Sequence, residues 1–214
     1  GTGNIDLISV DPSNNNIMYV ANGSELYKSI NGGVNFSLIN FTTNDIQSIG
    51  VHSSDSNIVY LTTEGANGEV LESIDGGASF IDISNGVPNI GKNIIVHQGR
   101  NTDNPLYLGT SLGVYYLDDS MSTWQPFDTN LPNVSVEDLE INVEDAKLIA
   151  ATYGRGVWQT TIPVQLASND IKLLRIKNPT AEINCGSTVT PRVEVKNNGL
   201  NTITTITVNY TIDG

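Results

Sequence analysis

Five acidic residues stand where short strands would turn: Asp45, Glu64, Asp103, Glu137 and Asp138. Hydrolysing a glycosidic bond takes two carboxyls about 5–10 Å apart across a cleft, so acids on neighbouring turns are the first candidates for chemistry. The whole chain is acidic, however, and these five read more simply as solvated surface groups. His52 and His97 each follow a valine at a strand end, Val51-His52 and Val96-His97, which would place them at equivalent points of neighbouring units. Two histidines without a third ligand make a poor metal site. They read better as substitutes for Asp11, the turn residue after Val10. Tyr153, Arg155 and Trp158 offer an aromatic face and a fork-shaped donor that would suit a sugar. For Trp158 the competing reading is core, because Tyr115 and Tyr27 stand at its repeat positions. Arg155, between glycines, would either cap carbonyls or face a ligand. No Gly-x-Ser-x-Gly nucleophile motif is present. These residues assign no catalytic group, no metal and no cofactor.

Composition narrows the partners. The 214 residues carry 10 basic and 23 acidic side chains, a net charge of −13. Such a field repels a phosphate backbone, which argues against nucleic acid, and it disfavours anionic membranes. No apolar run approaches the ~18 residues that span a bilayer, so membrane insertion is not expected. Only 15% of residues are charged, while Asn, Ser, Thr and Gly abound, a profile common in extracellular β-proteins. Cys185 is the only cysteine, so no internal disulfide can form.

The elements that must position these side chains come from an internal repeat. Ser29-Ile30-Asn31-Gly32-Gly33-Val34-Asn35-Phe36 matches Ser73-Ile74-Asp75-Gly76-Gly77-Ala78-Ser79-Phe80. A decayed copy is Leu117-Asp118-Asp119-Ser120-Met121-Ser122-Thr123-Trp124. Positions 31, 75 and 119 are spaced by 44, and each is followed five residues later by Phe36, Phe80 or Trp124. Upstream, the pairs ending at Tyr27, Leu71, Tyr115 and Trp158 keep spacings of 44, 44 and 43. Each period reads as three or four short strands between Asn, Asp, Pro and Gly turns, and none sustains a helical period. Repeating four-stranded units of this length are propeller blades.

The pattern Ser-x-Asp-Gly-Gly-x-x-aromatic resembles the Asp box of bacterial neuraminidases, sortilin-like receptors and xyloglucan-active glycoside hydrolases. Ala151-Thr152-Tyr153-Gly154-Arg155-Gly156-Val157-Trp158 is similar to the closing blade of sortilin-like glycosidase repeats. The resemblance covers roughly residues 5 to 162 and implies that Ser29, Asn31, Gly32, Gly33, Phe36, Ser73, Asp75, Gly76, Gly77, Phe80, Asp119 and Trp124 are structural. Two glycines permit positive φ, the carboxylate accepts backbone amides, and the aromatic clamps the hairpin. Asn31 keeps the acceptor without the charge. Ser120 and Met121 replace both glycines of the third copy, so its turn should differ. The fourth unit runs into Pro163 with no box and no fourth strand.

The fold expected is therefore all-β: about four blades of an Asp-box propeller over residues 1–163, then an immunoglobulin-like β-domain over 164–214. A ring closed on four blades is the alternative to a partial one. In the second segment, strands are expected at 171–176, 189–196 and 203–210, with a turn at Asn197-Asn198-Gly199. Val193-Glu194-Val195-Lys196-Asn197-Asn198-Gly199 resembles immunoglobulin-like adhesion modules of bacterial surface proteins. Gly1 in place of methionine and the terminal turn pair Asp213-Gly214 read as a piece of a longer chain. The function expected is a secreted or cell-surface, non-catalytic binding and display platform. Its partners would be the rest of its own chain, with polysaccharide or a surface or secretion-system protein as ligand. The alternatives are part of a polysaccharide-active glycoside hydrolase and cargo of a bacterial outer-membrane secretion system.

Overall fold

The computed structural model describes residues 4–127, 131–165, 168–179, 188–197 and 199–209. All regular structure among them is β, with no helix. The chain divides into two compact units, Gly1–Val164 and Gln165–Gly214.

The first unit holds four antiparallel sheets, each a meander of consecutive strands. Sheet 1 comprises β1 (Leu7–Val10), β2 (Met18–Asn22), β3 (Glu25–Ser29) and β4 (Ser37–Phe41). Sheet 2 comprises β5 (Ile46–Val51), β6 (Val59–Thr63), β7 (Val70–Ser73) and β8 (Ile81–Asp82). Sheet 3 comprises β9 (Lys92–His97), β10 (Leu106–Thr110), β11 (Gly113–Leu117) and β12 (Gln125–Pro126). Sheet 4 has three strands, β13 (Val136–Asn142), β14 (Lys147–Thr152) and β15 (Gly156–Thr161). The first strands β1, β5, β9 and β13 contact one another in that order. Three strands are four-fold repeated in sequence, and they form in all four units. The outer strand is weak even where present, two residues long in sheets 2 and 3.

Burial explains the sequence of the middle strands. Side chains alternate across a strand, so a sheet sandwiched between two others must be apolar on both faces. All five residues of β6, Val59 to Thr63, are buried. Val59 and Leu61 pack into the core shared with Tyr19, Ala21 and Leu26 of sheet 1. Tyr60 points the other way, into the core with Ile95, Leu106, Leu108 and Trp124 of sheet 3. Tyr107 of β10 repeats the pattern toward Leu139, Leu148 and Ala150 of sheet 4. Each such Leu or Val contributes about 1.5–3 kcal/mol by leaving water.

The end sheets lack this second neighbour among the described residues. Tyr19, Val20 and Tyr27 are the side chains that an open first face would be expected to expose. Tyr19 instead faces sheet 2 and is fully buried, because it sits one register step from Val20. Val20 is opposite Ile8 and Tyr27 on the outward face, yet it too is buried, only 4% exposed, whereas Ile8 is 66% exposed. On the last sheet, Val157 is 71% exposed.

The second unit contains one hairpin, β16 (Ile171–Asn178) with β17 (Arg192–Asn197). β17 begins three residues later than the alternation suggests, directly after Pro191, which has no amide to give a ladder. Glu194 accepts Arg175 at 2.7 Å and Lys177 at 2.9 Å across the pair. The Asn197 side chain accepts the Gly199 amide at 2.9 Å, closing the turn after β17. Residues 203–209 carry no strand, contrary to their alternating pattern. A strand exists only with a ladder partner, and none is present for them among the described residues. Cys185, Asn198 and Tyr210 lie outside the described residues.

Candidate functional site

The Ser-x-Asp-Gly-Gly segments form one turn twice. In sheet 2 the Ser73 hydroxyl donates to Asp75 Oδ1 at 2.8 Å and accepts the Gly77 amide at 2.8 Å. Asp75 also accepts the Ser79 amide at 2.9 Å and the Ser79 hydroxyl at 2.6 Å. These bonds, with Ser79 foremost, pull the Asp75 carboxyl down to about 2. Gly76 and Gly77 take φ of +73° and +92°, where a Cβ would be strained. Phe80 packs against the core between sheets 1 and 2. In sheet 1, Ser29 and Asn31 repeat the scheme at 2.9 Å, with Asn31 Oδ1 accepting the Asn35 amide at 3.0 Å. Gly32 and Gly33 again have positive φ, and Phe36 lies beside Gly33.

The third copy departs by one residue. Asp118, not Asp119, caps the turn: its Oδ1 accepts the Ser120 amide at 2.9 Å and the Ser120 hydroxyl at 2.6 Å. Asp119 turns instead to Asn104, whose Nδ2 donates to it at 2.7 Å. Without the two glycines the chain does not take two successive positive-φ steps, so a loop of the same length follows a different path. The Asp119 amide bonds Asp103 two residues after Leu117, whereas the Gly76 amide bonds Asn57 three residues after Ser73. Trp124 keeps its clamping place, only 1% exposed, with Nε1–H donating to Ile83 O at 2.7 Å. In sheet 4 the turn is replaced by Ile162 and Pro163, with Ile162 buried against Tyr107 and Leu148.

The candidate acids divide between two ends of the sheets. Asp45, Glu64, Glu137 and Asp138 lie where first strands begin and second strands end; the Glu64 amide donates to Asp45 O at 2.8 Å. Asp103 lies at the opposite end, in the β9–β10 connection. Among the described residues, no group of three or more His, Cys, Asp or Glu side chains is placed to hold a metal. Tyr153 is 78% exposed at the β14–β15 turn, on the Asp45 end, and its amide donates to Ser135 O. Arg155 is exposed and gives its carbonyl to Trp158 Nε1–H at 3.1 Å. Trp158 stands on the face toward sheet 3, over a shallow cleft with Val114, Phe127 and Ala150, and remains 38% exposed. It is a core position left half covered, since no fourth strand lies over it among the described residues.

The two histidines are not repeat-equivalent. The amides of Asp11, His52 and Gln98 bond Ile17, Ile58 and Pro105, so Gln98 is the partner of His52 in the repeat. His97 is one step earlier, at the place of Val10 and Val51. That single step turns it toward sheet 2, and its ring meets His52 at 3.8 Å between centroids. Sequence reasoning missed this contact because valine precedes both residues; only the lengths of the following turns could have revealed the slip.

No family model matches the chain, and no curated protein matches it. Solved structures do. A GH74 enzyme from Niastella koreensis superposes with a TM-score of 0.59 at 18% identity, over 73% of this chain and 28% of its own. YCF48 from Cyanidioschyzon merolae gives 0.58 at 15% identity, over 76% of this chain and 52% of its own. The extracellular domain of a hybrid two-component system from B. thetaiotaomicron gives 0.56 at 16% identity, over 76% and 24%. The chain thus spans about a quarter of the GH74 enzymes it resembles. Within these helix-free, serially packed sheets, the first unit has the architecture of a partial β-propeller.

Proposed function

We propose that this chain belongs to a secreted or cell-surface multidomain protein, and that its propeller is a non-catalytic platform for binding and display. The observation that carries this reading is the state of Asp75 and Asp118, whose carboxylates are spent on their own turns. The Ser-x-Asp-Gly-Gly turns then act as Asp boxes of the sortilin-like kind, holding hairpins rather than substrate. The exposed Tyr153-Gly154-Arg155 turn supplies an aromatic face and a guanidinium for a polysaccharide or protein ligand. The second unit would be the opening of an immunoglobulin-like module, with the apolar row Leu173, Ile176, Val193 and Val195 awaiting the rest of its sandwich.

The second reading is part of a glycoside hydrolase with catalytic residues partly outside this chain. The likeness to GH74 enzymes favours it. The two are separated by incubating the purified chain with a panel of plant polysaccharides, xyloglucan included. The platform reading expects retardation in affinity gels, weakened by Tyr153→Ala, with no new reducing ends. Release of reducing ends by the chain alone would overturn it.

A further inference from the structure

The seam between sheets 2 and 3 holds a polar cluster that none of the roles above uses. Its centre is the stack of His52, after β5, on His97, the last residue of β9, with the rings 30° apart. Tyr60 of β6 lies parallel to His97 at 6.2 Å. The two imidazoles share one short turn. The Ser53 amide donates to His97 Nδ1 at 3.1 Å, and the Ser54 and Asp55 amides donate to His52 Nδ1 at 3.2 and 3.0 Å. A ring nitrogen that accepts an amide carries no proton, so both rings are neutral and protonated only at Nε2. His52 Nε2–H donates to Asn104 Oδ1 at 3.3 Å, and Asn104 passes the chain on to Asp119. His97 Nε2 is buried without a partner.

The repeat shows what the histidines replace. Asp11 holds the equivalent turn in sheet 1, accepting the Ser13 and Asn14 amides at 2.7 and 3.1 Å. Asn142 does so in sheet 4, accepting the Glu144 and Asp145 amides at 3.0 and 3.1 Å. Both remain acceptors through the mildly acidic range. Only in sheet 2 is the acceptor an imidazole, and only there does a second imidazole cross the seam to share the work.

We propose that the His52–His97 stack is an acid-released catch: protonation of His97 breaks the stack, frees the 53–55 turn and loosens the seam between sheets 2 and 3. A proton on either Nδ1 turns an acceptor into a donor facing an amide N–H, and a second charge would then sit against the first. The groups around the stack are Glu72 on β7, Tyr60 on β6, Asp55 in the turn and Asp119 after β11. Glu72 is pushed up, by burial first and by Asp119 second, so it gives up its charge early as acid is added. The closed seam therefore loses a counter-ion when the imidazoles would most need one. Burial first, and the His52 ring alongside second, hold His97 down from 6.5 to about 3. The sign follows: a base depressed in the closed form binds its proton only when open. The catch is fully engaged above pH 6.5 and weakens as pH falls toward 3.

The test is amide exchange by NMR on the full 214-residue chain between pH 7 and 5. Corrected for intrinsic rates, protection at Ser53, Ser54 and Asp55 should fall about tenfold per pH unit below 6.5 as His97 takes up its proton. The double variant His52→Asn/His97→Val takes residues that the repeat itself uses at these places, Asn142 and Val51. Its protection there should be independent of pH. Flat protection in the wild type, or an equal fall in the double variant, overturns the proposal. Ring titration of the wild type gives a readout that needs no variant. A His97 ring that titrates near 6.5 while the turn amides stay protected would also overturn it.

Discussion

Ser73 and Asp75 are bonded to each other and to the same loop: the hydroxyl donates a hydrogen bond to the carboxylate and accepts one from the Gly77 amide. Because Ser73 is buried, its loss leaves an amide without a partner. Ser73→Ala should cost about 1–3 kcal/mol in urea unfolding, and Ser29→Ala a similar amount. An unchanged midpoint for both would show that the turns hold without their hydroxyls.

The charge on Asp75 should matter only in strong acid. Folding favours its ionised form, since the carboxyl drops from 3.8 to about 2. Its contribution is complete above 3.8 and disappears as pH falls through about 2. Asp75→Asn copies Asn31 and cannot titrate. The melting-temperature gap between wild type and variant should therefore be constant near neutrality and shrink across that acid window. A gap that ignores pH would contradict the bonding described.

Two glycines of similar φ should respond differently to alanine. At Gly65, φ +89°, an added Cβ meets nothing within 4 Å. At Gly77, φ +92°, it would lie 2.7 Å from Ile39 Cδ1. Gly65→Ala should cost only the left-handed strain, about 1–2 kcal/mol. Gly77→Ala should cost clearly more, because Ile39 must also move. Equal losses would place Ile39 elsewhere.

Trp124 joins two sheets by its ring, by the indole hydrogen bond to Ile83 O and by its backbone amide on Asn85 O. Trp124→Ala should lower stability by about 3–5 kcal/mol. Trp124→Phe keeps most of the ring but strands Ile83 O, for about 1–3 kcal/mol. Should Phe and Ala cost the same, the hydrogen bond rather than the ring would be holding the seam.

The outward face of sheet 1 and that of sheet 4 should bind an apolar dye when the chain is purified alone. Ile8→Thr with Val157→Thr should reduce the signal and any self-association seen by light scattering. Dye binding that the pair leaves untouched would locate the apolar surface in the second unit.

Much of this fold is legible because blades repeat. A spacing of 44 places Tyr27, Leu71 and Tyr115 at one structural position, and apolar alternation marks the faces. What resisted reading depends on single-residue register. Asp119 is the residue expected to cap the third turn, yet Asp118 does, because a loop of equal length without the two glycines turns one residue sooner. His97 looked equivalent to His52 and is one step away, which reverses the face it occupies. Of the side chains that an open first face would expose, Tyr19 is one step away on the opposite face, and Val20 is buried on the outward one. Residues 203–209 alternate like a strand, but alternation specifies a face and not a partner. The candidate ligand side chains Tyr153 and Arg155 were visible as an odd aromatic and an odd cation among glycines; whether they bind anything is a matter of shape beyond spacing.

The double burial of β6 has a consequence for how the molecule comes apart. Odd residues of that strand belong to one seam and even residues to the next, so no seam owns a whole strand. Damage at Leu61 and damage at Tyr60 strike different junctions although the residues are covalent neighbours. Energy is then shared only between adjoining units, as in a row of coupled springs. Such a row should fray inward from its termini, and protection against exchange should rise from sheet 1 or sheet 4 toward sheets 2 and 3. It can also gain or lose a whole unit in evolution without redesign, provided the newcomer offers Leu-like knobs on one side and a tyrosine on the other.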